Sequence, residues 1–307
     1  MRKAFVNKLT QLVNKNKDIY LLTGDLGFSV FDEFQKDFSD NYLNVGLSEA
    51  NMIGMAAGLA LAGKQVFVYS IIPFVTLRCL EQIRNDLCYQ RLPVKIIGVG
   101  EGLSYGTAGA THHALEDIAI MSALPEMTVI APGDPVEVEC TVEKSLELKG
   151  PCYIRLGKSG EPILHKKEFI FKIGKSIVLK NGEDITIIST GNMLETALKV
   201  YDILKKENIN CKIVSMHTIK PIDREIIVKS ANNMDIIVSI EEHSKIGGLG
   251  SRIASVILEE KLNTKYLQIA LPDTFVHIVG SQNYLREIYG LTPDQISVKI
   301  LNFIKKG

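Results

Sequence analysis

Tryptophan is missing from this chain of 307 residues, and aromatic side chains make up only 7% of it. A module that stacks sugars on exposed aromatic faces is therefore a poor fit. An excess of one charge is missing too, since 35 basic residues balance 35 acidic ones. That balance creates no field to gather nucleic acid or an anionic membrane. The five cysteines, Cys79, Cys88, Cys140, Cys152 and Cys211, are odd in number and lack metal-ligand spacing. They read as reduced thiols in a cytoplasmic protein. Long apolar runs are absent: the weakly polar stretch Ala50 to Gly63 is too short to span a bilayer. The opening Met1-Arg2-Lys3-Ala4-Phe5 leads into an amphipathic helical period and not into a signal-peptide core.

What is present is alternation. Strand-length apolar runs at 19–22, 42–45, 65–69, 94–99, 128–130 and 152–155 are separated by helical periods near 2–16, 48–62, 74–89 and 135–148. Short apolar runs without in-out alternation fit strands covered on both faces. Gly157, Gly160, Pro162, Gly174 and Gly182, with Lys166-Lys167-Glu168 among them, break the rhythm. It resumes with strands at 184–189, 211–215, 235–240 and 267–270 and helices near 192–208, 223–231, 248–261 and 292–305. The expected fold is α/β with two domains, each a mostly parallel sheet flanked by helices. The first domain is placed at 1–157 and the second at 184–307, joined by a linker over 158–183 with room for a short hairpin.

Val45-Gly46-Leu47-Ser48-Glu49-Ala50-Asn51 puts a carboxylate where a strand ends and a Gly/Ala-rich helix opens. Taken alone, Glu49 is explained by the helix dipole, with Ser48 as the N-cap. Three further segments change the weight: Gly109-Ala110-Thr111-His112-His113-Ala114-Leu115-Glu116-Asp117, Ala131-Pro132-Gly133-Asp134-Pro135 and Tyr153-Ile154-Arg155-Leu156-Gly157. Together with the Glu49 segment, in this order, they resemble the pyrimidine-binding and C-terminal domains of transketolase. The match is closest to split transketolases, in which these domains form a separate subunit, and it covers nearly the whole chain.

The resemblance implies roles. Glu49 would hold a ring nitrogen of the aminopyrimidine of thiamine diphosphate, as the catalytic acid of the family. Phe74 would wall that ring, with Ile71 or Ile72 standing for an aromatic of larger transketolases and Arg78 of the same segment beside it; plain core packing is the other reading of Phe74. Asp25 would lie near the cofactor at a subunit interface, or cap a turn. His112 would orient the hydroxyls of the sugar donor and move protons, with His113 behind it as packing. Arg2, Ser29 and Arg155 match the family's phosphate-binding positions in order and context, a task that suits the planar donors of arginine. A phosphate-side His and a donor-contacting Asp of the family stand here as Gly100 or Glu101, and as Ala108. Gly247-Gly248-Leu249-Gly250, after Glu241-Glu242-His243, has the look of a phosphate loop but falls in a domain that does no chemistry in the family.

One family segment is missing. Thiamine diphosphate is held through a divalent metal by a Gly-Asp-Gly with a later Asn. Here Gly24-Asp25-Leu26-Gly27 is interrupted by Leu26. We therefore expect no metal ligands in this chain. Mg²⁺ or Ca²⁺ would be held by an N-terminal-type partner subunit, in an α2β2 assembly acting on sugar phosphates. Gly54 and Gly58 share one helical face, which suits either a subunit contact, self-association included, or close packing on the chain's own sheet. The expected activity is transfer of a two-carbon ketol unit from a ketose phosphate to an aldose. The alternatives are a deoxyxylulose-phosphate-synthase-like enzyme, a 2-oxoacid dehydrogenase beta-type subunit, and a non-catalytic homologue.

Overall fold

The computed structural model describes residues 1–27, 29–165 and 169–305. The Lys166-Lys167-Glu168 run of the expected linker lies outside the described residues. In chain order the strands are β1 (Ile19–Thr23), β2 (Tyr42–Asn44), β3 (Gln65–Ile71), β4 (Lys95–Val99), β5 (Thr128–Ile130), β6 (Cys152–Leu156), β7 (Ile177–Lys180), β8 (Ile185–Ser189), β9 (Cys211–Ser215), β10 (Thr218–Lys220), β11 (Ile236–Ser244) and β12 (Lys265–Leu271). The helices of the first domain are α1 (Arg2–Lys15), α2 (Asp32–Asp37), α3 (Glu49–Leu61), α4 (Ile72–Thr76), α5 (Leu80–Gln82), α6 (Asp117–Ala123) and α7 (Pro135–Ser145). Those of the second are α8 (Met193–Lys206), α9 (Arg224–Asn233), α10 (Leu249–Glu259), α11 (Gln282–Ile288) and α12 (Pro293–Lys305).

Two sheets result, in the order β10-β5-β6-β4-β3-β1-β2 and β12-β11-β8-β9-β7. Every residue of β4, β6, β8 and β9 is buried, as parallel strands covered by helices on both faces must be. All pairings are parallel except at two edges, where β10 and β7 run antiparallel to β5 and β9. Both of these strands escape the sequence reading: β7 lies in the glycine-rich stretch read as linker, and β10 begins only two residues after β9. β7 falls inside the expected linker, yet it joins the sheet beside β9 instead of making a hairpin with β8. β10 comes from the second half of the chain and completes the first sheet, with Thr218 opposite Ile130.

The helix expected over 74–89 is broken. Pro73 opens α4, whose last turn ends at Thr76, and a wide turn over Ile83–Cys88 follows α5. Nor does Ser48 cap α3: its hydroxyl donates back to the Val45 carbonyl at 2.8 Å. The Gly247–Gly250 run is likewise not a phosphate loop. Its helix start is already met by the buried Glu241, which accepts from the amides of Leu249 (2.7 Å) and Gly250 (2.8 Å). A Cβ at Gly248 would meet Glu241 Oε2 at 2.2 Å, so this glycine serves close approach.

A buried polar network joins the domains. Arg155, 1% exposed, donates through Nε to Asp117 (2.8 Å), through Nη1 to Glu101 (3.3 Å), and through Nη2 to Asp117 Oδ1 and the carbonyls of Ala114 and Glu242. Glu101 also accepts from the Asn192 amide at 3.0 Å. Glu242 collects Asn192 Nδ2 (2.9 Å), Gln282 Nε2 (2.7 Å) and Arg286 Nε (2.6 Å). More acid than base is enclosed here. Burial pushes the Glu101 carboxyl up to about 8, with Arg155 opposing and the Glu161 and Glu242 charges adding to the rise.

A carboxyl with a raised folded-state pKa binds its proton more tightly when folded. Its contribution to stability is complete below pH 4.5, the unperturbed value, and is lost as pH rises through about 8. Glu101→Gln, which keeps the shape without the titration, should abolish that loss. Urea unfolding of both proteins between these limits checks it: wild-type stability should fall relative to the variant as pH rises. Parallel profiles would show that Glu101 does not carry this proton.

Candidate functional site

The C-terminal ends of β1 and β3 and the start of α3 converge on Glu49, as the open edge of a parallel sheet directs. Glu49 is wholly buried. Its Oε1 accepts from the buried Ser70 hydroxyl at 3.0 Å and its Oε2 from Arg78 Nη1 at 2.6 Å. Enclosing a carboxylate is costly unless donors replace its water, and Ser70 and Arg78 do so. Gly24, at the end of β1, makes the approach possible: a Cβ there would stand 3.1 Å from Glu49 Cγ.

The break after α4 turns Arg78 back over that helix. Its guanidinium carbon lies 4.6 Å from the centre of the half-buried Phe74 ring, a cation–π contact. Phe74 meets His112 edge to face, with centroids 5.1 Å apart at 70°. His112 in turn stands 6.1 Å from Tyr105, and Thr111 Oγ1 lies 3.0 Å from its Nδ1. Carboxylate, guanidinium, phenyl, imidazole and phenol thus form one continuous line. His113 points the other way: it is buried, and burial holds its pKa below the usual imidazole value.

A cleft of about 870 Å³ opens beside this line, lined by the cationic Arg2, Lys3 and Lys158, by Ser29, and by the acidic Asp32, Glu33 and Asp37. Arg2 Nε donates to the Lys158 carbonyl. The Lys158 ammonium sits 4.7 Å over the Tyr105 ring, so Tyr105 connects the Lys158 end of the cleft to His112. Tyr105 has this position because residue 100 is glycine: a Cβ on Gly100 would lie 2.1 Å from the ring. The space that a side chain at 100 would fill is taken by the phenol.

Several expected residues fall elsewhere. Arg155 lies in the middle of a covered strand, and its donors all face protein acceptors, so it offers nothing to a phosphate in the cleft. Lys158, just past the end of that strand, lines the cleft instead. Ile72 is fully buried, packing where Gly98 leaves room, and presents no surface to a ring. Asp25 is partly exposed and exchanges hydrogen bonds with Asn44, its amide donating to Oδ1 (3.0 Å) and its Oδ1 accepting from Nδ2 (2.9 Å), which ties the ends of β1 and β2 together. Ser29 lines the cleft, and its amide donates to Asp32 at 3.1 Å. Ser70 and Tyr105 carried no motif in the sequence.

Comparison with known proteins gives the same picture from another side. Residues 1–161 match the family described as transketolase, pyrimidine binding domain, and residues 174–296 match transketolase, C-terminal domain. A Methanocaldococcus jannaschii protein described as "Putative transketolase C-terminal section" is 42% identical, with 100% of this chain and 96% of that protein covered. A subunit of the apulose-4-phosphate transketolase of Phocaeicola vulgatus is 35% identical over 99% of this chain and 97% of its own length. A solved structure described as "Split gene transketolase, inactive beta4 tetramer" superposes with a TM-score of 0.91 at 38% identity, covering 98% of this chain and 97% of that one.

Gly100→Ala should drive the Tyr105 ring from its seat and cost about 1–3 kcal/mol of stability. Adding Tyr105→Ala should recover part of it, leaving the strain of alanine at a φ of +93°. Chemical unfolding of the single and double variants reads this directly. Additive losses would mean that the two residues do not compete for the space.

Proposed function

The chain belongs to the transketolase family, as its pyrimidine-binding and C-terminal domains, and from that premise we propose that it is one subunit of a thiamine diphosphate-dependent ketol transferase. The observation that carries the proposal is the enclosed Glu49 carboxylate beside Phe74 and His112. The donor set fits the aminopyrimidine half of the cofactor. A buried carboxylate accepts a ring N–H, and an aromatic face lies next to it. When bound, thiamine diphosphate supplies a nucleophilic carbon for the ketose carbonyl, so that the adjacent carbon–carbon bond can be cleaved and remade.

Glu49 would hold the pyrimidine ring by accepting a ring N–H, with Ser70 fixing its Oε1. His112 orients the donor hydroxyls and carries a proton on a ring nitrogen. Arg2 and Lys158 take the anionic end of the sugar phosphate by charge-assisted hydrogen bonds, with Ser29 beside them. Tyr105, in the space above Gly100, shapes the path between the two ends. It sets this site apart from one with a histidine at that position and leaves room for donors other than pentose phosphates.

The diphosphate and its Mg²⁺ or Ca²⁺ fall to an N-terminal-type partner subunit, most simply in an α2β2 assembly. The sequence supports this by its lack of the Gly-Asp-Gly segment. The fold supports it by leaving a surface for the partner: Gly54 and Gly58 face outward with open space beyond them, near the exposed Leu47 (77%) and Leu61 (65%). The relative described as an inactive β4 tetramer fits a chain that associates with itself when that partner is absent.

With the partner present, Glu49→Gln should reduce ketol transfer to about 1% or less while the circular dichroism spectrum is unchanged. Activity above a few per cent would remove Glu49 from its role. Lys158→Ala should raise KM for a phosphorylated ketose about tenfold and leave an unphosphorylated one nearly unaffected. An equal effect on both would take the phosphate away from the cleft. Decarboxylation of pyruvate in place of ketol transfer would point to a synthase- or dehydrogenase-type donor.

A further inference from the structure

The closure around Glu49 poses a problem that the proposed function has to solve. No surface of this side chain is exposed, so nothing from solvent can touch either oxygen as they stand. On the Oε1 side the shell is Ser70 and Gly24, both buried parts of the sheet. On the Oε2 side it is Arg78, whose side chain is 48% exposed. Arg78 is therefore the member of the shell that is free to leave. Its side chain is held at a single point: Nη1 to Oε2 is its one side-chain hydrogen bond among the described residues, whereas arginine often engages a carboxylate through two donors.

The guanidinium does two things at once. It gives an N–H to Glu49 and lays a flat, delocalised cation over Phe74, 4.6 Å from the ring centre. A protonated or imino aminopyrimidine makes the same two demands, one donated N–H and one flat face. We propose that Arg78 is a resident plug, an internal stand-in for the aminopyrimidine that holds Glu49 and Phe74 in the free subunit and swings to solvent as the cofactor enters. The inference rests on the reading of this site as a thiamine diphosphate site and adds its regulation. While Arg78 is in place the binding-competent fraction is small, and apparent affinity is reduced by that fraction. The plug also keeps a buried carboxylate paired before the partner subunit arrives.

The test compares wild type, Arg78→Met and Arg78→Lys in the complex of the full chain with an N-terminal-type subunit and Mg²⁺. Thiamine diphosphate affinity is read by calorimetry, its association rate by stopped flow, and the Tm of the cofactor-free chain by thermal melting. Arg78→Met should bind about tenfold tighter and associate faster, while its cofactor-free Tm drops because Glu49 has lost its partner. Arg78→Lys keeps the charge without the flat face and should fall between. Unchanged or weaker binding by Arg78→Met would overturn the plug and make Arg78 a bystander or a permanent cofactor contact. Absence of cofactor binding by the wild-type complex would overturn the reading of the site itself, whatever the variants do.

Discussion

A carboxylate sealed from water must find donors inside the protein, and much of the first domain is arranged around meeting that need for Glu49. Left unpaired, such a group would cost several kcal/mol. β1 is followed by Gly24, whose backbone can lie against the Glu49 stem, and Ser70 near the end of β3 is in reach of one oxygen. The helix that would otherwise run on from Phe74 breaks, and Arg78 folds back onto the other oxygen. Each of these is a local irregularity at the C-terminal edge of an otherwise regular parallel sheet. The regular part supplies rigidity, and the irregular part supplies a charged group with an aromatic neighbour and one movable cover.

The second domain contributes support. β10 extends the first sheet, and the Arg155, Glu101 and Glu242 network fastens the loop after β4 to the ends of β8 and β11. That loop carries Tyr105 and His112. Two further bonds hold it, from the Gly280 amide to the Gly106 carbonyl at 3.3 Å and from Gln282 to Ser104 at 3.3 Å. The acidic Glu241-Glu242 pair, exposed-looking in the sequence, is wholly interior, one residue capping α10 and the other bracing Arg286. A domain outside the Glu49 site can still determine where the imidazole stands, because a small misplacement of a positioned group is costly to a reaction.

The sequence made the strands legible because strands covered on both faces are uniformly apolar, and it made Glu49 legible because a motif surrounds it. It misled where direction mattered. Arg155 has the right chemistry for phosphate, but a position inside a covered strand points it into the layer between domains. Lys158, three residues on, has left the strand and reaches the cleft. Ile72 stands at the turn from β3 into α4 and is carried inward, whereas Phe74 is left at the surface. Tyr105 could not be found from its own residue: its place depends on the empty side of Gly100, a pairing made only by the fold. β10 follows β9 after two residues and joins the other sheet, a pairing that only the fold makes.

The central claim is that this chain holds one half of a cofactor site. Thiamine diphosphate binding measured with Mg²⁺, for the chain alone and for the chain mixed with a subunit carrying the Gly-Asp-Gly segment, tests it most directly. The chain alone should bind negligibly, and the mixture should show both tight binding and ketol transfer that fail together on Glu49→Gln. Tight, metal-dependent binding by the isolated chain, or a mixture that binds and turns over as well with glutamine at position 49, would contradict it.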